Sequence, residues 1–172
     1  MITEISGKAE LEVAVREAVA ALRNVLLSLD EQAMNTVPFN DSWTAAQVAQ
    51  HVSKSTNFMA KAMATEPKDA RRRPDEKIPE LKKIFLDFST KLKSPDFIIP
   101  EEGHYAKEAV IEKLDRAFER LQENVGHANL NDLVENLPFG PTTKLELLHF
   151  VVYHTQRHLN QLTKIAGALK NP

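Results

Sequence analysis

The stretch from Thr143 to Gly167 reads TKLELLHFVVYHTQRHLNQLTKIAG, and its periodicity decides the fold. Leu147, Val151, His154, His158, Leu162 and Ile165 recur at spacings of three and four. That spacing gathers them on one face of an α-helix. Thr143 and Glu146 have the separation of a capping box, in which each side chain satisfies an orphan amide of the first turn. The pair stands just after Gly140-Pro141, and Gly167 reads as a helix stop. The apolar face therefore carries two histidines, four residues apart.

The rest of the chain follows the same pattern. Leu11, Val15, Val19, Leu22, Leu26 and Leu29 draw a stripe that predicts a helix from about Ala9 to Met34. Thr44 and Gln47 form a second capping-box pattern, with Trp43 and Val48 at the two positions of a hydrophobic staple. The helix they start should reach about Ala64, with Val48, His51, Val52, Ser55, Met59 and Met63 inward. Glu66 to Pro79 is charged and proline-bearing and reads as a long crossing connection. A helix over about Glu80 to Leu92 follows. Pro95 to Pro100 is irregular, with Phe97, Ile98 and Ile99 expected to tuck against the bundle. Val110, Leu114, Ala117, Phe118 and Leu121 predict a helix from about Lys107 to Asn124. Gly126 to Pro141 is a second irregular link. Neither half of the chain has enough helices to close a core of its own, so residues 1–172 are expected to form one all-α domain, a four-helix bundle with a long crossover connection.

Composition narrows the function. The 172 residues are 42% apolar and 27% charged, with 22 basic and 24 acidic side chains and a formal net charge of −2. Nucleic-acid binding needs a clustered basic surface, and none is evident. The one basic run, Arg71-Arg72-Arg73, is flanked by Asp69, Asp75 and Glu76 and reads as a solvated loop. The absence of cysteine excludes disulfides, thiolate metal sites and cysteine nucleophiles. Met1 to Glu12 does not resemble a signal peptide. No run of about eighteen apolar residues is long enough to span a membrane. A cytoplasmic protein without membrane or nucleic-acid partners is the expectation.

The six histidines are at 51, 104, 127, 149, 154 and 158. His51, His154 and His158 fall on inward faces, so three imidazoles should project into one interior from two helices. Each buried polar group left unpaired costs roughly 1–3 kcal/mol. A divalent metal removes that cost by taking a lone pair from each ring, and two histidines at i and i+4 plus a third from elsewhere suit zinc, with coordination left open. Nickel, copper and ferrous iron accept the same donors. Hydrogen-bonded core histidines without a metal are the competing reading. His104 and His127 lie in or near links and read as solvated. His149 points about 140° away from His154 and reads as a packing residue. Thr155 stands where a zinc peptidase motif would have glutamate, which argues against that class. Gln161, on the inward face beyond His158, is a candidate to orient a ligating ring or a bound water, or else bonds a neighbouring helix. Ser55, one turn after His51, is a weaker candidate of the same kind. No residue is assigned as catalytic.

Ser42-Trp43-Thr44 opens a helix that reaches His51 about two turns later. Leu137-Pro138-Phe139-Gly140 precedes a last helix carrying His154-x-x-x-His158-x-x-Gln161. Over roughly Leu11 to Leu169 this order of motifs resembles the DinB-like superfamily of metalloenzymes. The resemblance implies a four-helix bundle with a long crossover, a zinc or nickel ion held at His51, His154 and His158, and frequent homodimers. It also implies a branch of transferases that use low-molecular-weight thiols such as bacillithiol, mycothiol or glutathione, with maleylpyruvate isomerases among them. No residue assigns this chain to that branch.

Two functions follow as expectations. One is a metal-dependent enzyme acting on a small molecule, with thiol S-transfer favoured by the resemblance and hydrolysis disfavoured by the lack of a carboxylate placed as general base. The other is a non-catalytic bundle with a structural or sensory metal, or a small-ligand pocket.

Overall fold

The computed structural model describes residues 7–170, and it is a four-helix bundle. The four long helices are α1 (Lys8–Leu27), α3 (Ala45–Met63), α5 (Lys107–His127) and α6 (Lys144–Lys170). Two short helices, α2 (Glu31–Met34) and α4 (Ile78–Phe85), lie in the connections. Helix α3 packs along α5, α1 packs along α6, and α6 also meets α3 and α4. The crossover expected between the second and third long helices runs from residue 64 to 106 and carries α4 and a 3₁₀ turn, Asp96–Ile98.

Both capping boxes form. The Thr44 amide donates to Gln47 Oε1 at 3.0 Å, and the Gln47 amide donates to Thr44 Oγ1 at 3.1 Å. The Thr143 amide donates to Glu146 Oε2 at 2.9 Å and the Glu146 amide to Thr143 Oγ1 at 3.2 Å. Trp43, at the staple position, lies 5.1 Å from the ring of His51. The apolar stripes close the core as expected: Leu11, Leu22, Leu26, Leu114, Leu121, Leu147, Leu162 and Ile165 are all buried.

Several boundaries differ from expectation. The first helix is broken after Leu27, because the Asp30 side chain accepts from the Ala33 amide at 2.7 Å and starts α2 afresh. Helix α4 spans Ile78 to Phe85 rather than reaching Leu92. The Asp87 carboxylate accepts from the Ser89 amide and the Thr90 hydroxyl, which turns the chain instead. Helix α5 runs on to His127, and α6 passes Gly167 to end at Lys170. Of the 97–99 trio only Ile98 is buried. The second link contains a two-stranded antiparallel ribbon, β1 (Leu133–Val134) with β2 (Thr142–Thr143), which periodicity did not indicate. Gly140 closes the turn before β2 at φ +82°, a conformation glycine adopts without strain.

The burial of α6 is also wider than one stripe. Every residue from Glu146 to Thr155 is buried, since α1, α3 and α4 surround this segment. Glu146 has no exposed surface, and its carboxylate takes both arms of the Arg72 guanidinium at 2.7 Å and the Lys77 amide at 2.8 Å. Arg72 is thus no solvated loop residue; it clamps the crossover to the start of α6. Burial alone raises the Glu146 pKa, but Arg72 and the amides of Lys77 and Thr143 outweigh it and hold the carboxyl below its ordinary range.

Candidate metal centre

His51 comes from the middle of α3, and His154 and His158 come from successive turns of α6. All three are buried, and one ring nitrogen from each lies within 4.8 Å of the others. His154 Nε2 stands 3.2 Å from His51 Nε2 and 3.1 Å from His158 Nε2. Two nitrogens on a tetrahedral zinc, at Zn–N distances of about 2.0–2.1 Å, stand roughly 3.3 Å apart. The observed spacing is close to that edge.

The far side of two rings settles which nitrogen faces the centre. His51 Nδ1 lies 2.9 Å from the Ile98 carbonyl oxygen, which can only accept, so Nδ1 carries the proton and Nε2 is bare. His158 Nδ1 donates to Gln161 Oε1 at 2.8 Å, with the same result. One proton on His154 Nε2 serves a single neighbour and leaves the other contact lone pair to lone pair. A cation serves all three. The donor set therefore fits a divalent metal, and both outer bonds are of the kind that orient ligating imidazoles.

Electrostatics point the same way. Burial pushes the His158 pKa down to about 3, with His51 adding to the effect. Burial likewise drives His154 well below its usual value, with His158 and His51 next in effect, and burial lowers His51. Neutral imidazoles are the form that ligates.

Aromatic rings wall the cluster. Phe150 stacks on His154 at 5.1 Å and 27°, and Phe85 meets Phe150 edge-on at 4.8 Å. A hollow of about 280 Å³ opens from His51, His154 and His158 toward Phe85, Phe97 and Phe139, with Ser55 in its wall. A second cleft of about 500 Å³ lies on the other side of Leu92–Ser94 and reaches His158, Gln161, Trp43 and Lys91, Lys93 and Lys164. Arg157 borders both spaces. Its guanidinium donates to the carbonyls of Asp87 at 2.8 Å, Phe85 at 3.4 Å and Thr90. It holds the wall between them rather than sitting free at the surface.

The remaining candidates fall elsewhere. His149 is buried, 3.2 Å from the Tyr153 hydroxyl, and burial lowers its pKa to about 4. His104 is exposed and lies 2.9 Å from Glu31 Oε1, and His127 ends α5 in solvent. Trp43, Phe150 and Ile98 were missed as parts of the centre. Phe150 was detectable, being one turn before His154; Ile98 was not, since its carbonyl arrives from 47 residues away.

The model of the DinB superfamily matches residues 14–162. The chain belongs to the DinB superfamily. Its relative YuaE, an uncharacterised protein of Bacillus subtilis, is 25% identical over 145 residues, spanning 83% of this chain and 88% of YuaE. Among solved structures, the four-helix bundle protein TT2238 superposes with a TM-score of 0.61 at 21% identity, over 92% of this chain and 99% of its own. YfiT from Bacillus subtilis, described as a "probable metal-dependent hydrolase with an unusual four-helix bundle topology", superposes with a TM-score of 0.61 at 17% identity, over 97% and 91%. At these identities the likenesses show the fold. As in the sequence reading, this DinB-superfamily chain has no helix among its described residues long and apolar enough to cross a membrane.

Proposed function

We propose that this DinB-superfamily chain is a metal-dependent enzyme that transfers a small anionic thiol onto an electrophilic carbon. The observation that carries the reading is the convergence of three buried, neutral Nε2 atoms between two spaces of ligand size. When bound, a divalent ion supplies Lewis acidity, which eases deprotonation of a thiol or water within its reach.

The chain's own residues do the rest. The Ile98 carbonyl and Gln161 hold two rings with Nε2 inward. Trp43, Phe85 and Phe150 pack against the rings and exclude water. Lys91, Lys93 and Lys164 border the cleft and attract an anion, while its single carboxylate belongs to exposed Asp41. No Asp or Glu lines the hollow. A thiol with a pKa of about 8.5 needs far less help to ionise than water at about 15.7, so a centre without a general base suits the thiol. In the transfer a sulfur–carbon bond forms, the leaving group departs with its electron pair, and the thiol proton passes to solvent.

Hydrolysis is the second reading, favoured by the description of YfiT. The test is to substitute cobalt and add bacillithiol, mycothiol and glutathione in turn. A thiol-dependent change in the visible spectrum, with consumption of an alkyl halide, supports transfer. No spectral change with any thiol, together with turnover of esters or amides, overturns it in favour of hydrolysis. A structural metal in a non-catalytic bundle predicts neither, and a large fall in Tm on chelation.

A further inference from the structure

Exposed apolar side chains are not scattered over this molecule. Of the eight large ones exposed among the described residues, Ile84 and Phe97 stand at the hollow, and Phe39, Phe88 and Ile99 line the cleft. Gathered apolar surface marks a place that something covers. The hollow has the more apolar interior. Phe139 packs on Phe150 at 5.1 Å and Phe97 on Phe58 at 4.8 Å, so rings form much of its wall. Its floor is His51 and His154.

Charge is poorly received there. No carboxylate lines the hollow, the Arg157 guanidinium is engaged by three carbonyls, and Lys93 stands on the wall shared with the cleft. In the metal-free protein an ionic group among these rings would be desolvated, with exposed Lys93 as its available partner. The volume, about 280 Å³, falls just under the range of ordinary ligand sites, which begins at about 300 Å³. That leaves space for one ring with a short substituent.

We propose that the hollow between α4, the Asp96–Ile98 turn and α6 binds an uncharged substrate carrying a single aromatic ring or a compact alkyl group, with its reacting carbon against His51, His154 and His158. The word substrate rests on the transfer reading above; the binding does not, since it uses the rings and not the metal.

The test is a fluorine NMR titration of the full chain, kept metal-free with EDTA, using 4-fluorobenzyl alcohol and 4-fluorobenzoate as probes. The alcohol is expected to broaden and saturate, with the benzoate at least about tenfold weaker. Phe97→Asp should weaken the alcohol by about tenfold or more, and Phe39→Asp, on the cleft side, should leave it within about twofold. Both positions are exposed, and thermal melts check that each variant folds. No saturable binding of the alcohol, or equal binding of the benzoate, overturns the proposal. So does a loss in Phe39→Asp equal to or larger than that in Phe97→Asp, because the hollow would then not be the selective site. A dimer by light scattering that Phe97→Asp dissociates, with no probe binding, would show that a second copy covers the mouth and would also overturn it. Probe binding with no thiol response in the cobalt protein would sink the transfer reading and leave this one standing.

Discussion

Gln161 stands one turn beyond His158 on α6, and its Oε1 accepts from His158 Nδ1 at 2.8 Å. The bond fixes the ring's tautomer and turns its free lone pair toward His51 and His154. Gln161→Ala is expected to lower metal affinity by about 10–100-fold, the usual cost of losing such a partner. Competition against a chelator of known affinity measures it. Gln161→Glu restores an acceptor and should recover most of the loss, an outcome that a purely packing role for Gln161 does not predict.

Loss of a ligating ring should be more severe. Wild-type protein is expected to carry about one equivalent of divalent metal and His154→Ala almost none. Elemental analysis of untagged protein decides it. Equal metal in both would sink the assignment of the centre.

The metal-free protein should lose stability in acid in two separable windows. His149 has a folded pKa of about 4 against an ordinary 6.5. Between those values the unfolded chain binds the extra proton, so stability present above about pH 6.5 drains away as pH falls toward 4. Glu146 sits below its ordinary 4.5, so its contribution is lost only below that value. Tm in EDTA across pH 7.5 to 3.5 reads both. His149→Leu should remove only its own share of the upper window, because buried His51, His154 and His158 are also held below their ordinary pKa and lose stability there, and it should leave the lower window unchanged.

Breaking the Arg72–Glu146 pair tests the crossover. Glu146→Ala leaves Arg72 and the Lys77 and Thr143 amides without their acceptor and should cost about 3–5 kcal/mol by urea unfolding. Arg72→Ala should also be clearly destabilising, because it leaves the fully buried Glu146 carboxylate with only the backbone amides as partners. Equal, small losses would mean that the pair is only a surface contact.

Arg157→Ala should loosen the wall between hollow and cleft. Amides of residues 86–94 are expected to exchange severalfold faster, with Tm changed little, because the lost bonds tether a locally opening segment rather than the core. Hydrogen-exchange mass spectrometry on that segment checks it. Arg157→Lys should not restore protection, since an ammonium cannot span three carbonyls as the guanidinium fork does.

The sequence alone determined the parts governed by bonds that close within a few residues. Thr44 with Gln47 and Thr143 with Glu146 started two helices where their spacing said they would. The three- and four-residue spacing put His51, His154 and His158 on buried faces, and the family pattern carried them to a common centre. Tertiary structure decided what depends on distant partners. Helix α4 ends early because Asp87, Ser89 and Thr90 turn the chain under Arg157, 70 residues away from Asp87. Arg72 looked solvated until Glu146, 74 residues on, was buried beside it. His51 faces the centre with a bare Nε2 because the crossover delivers the Ile98 carbonyl to its other side. Periodicity fixes the direction in which a side chain leaves its own helix; only the packed chain fixes what it meets.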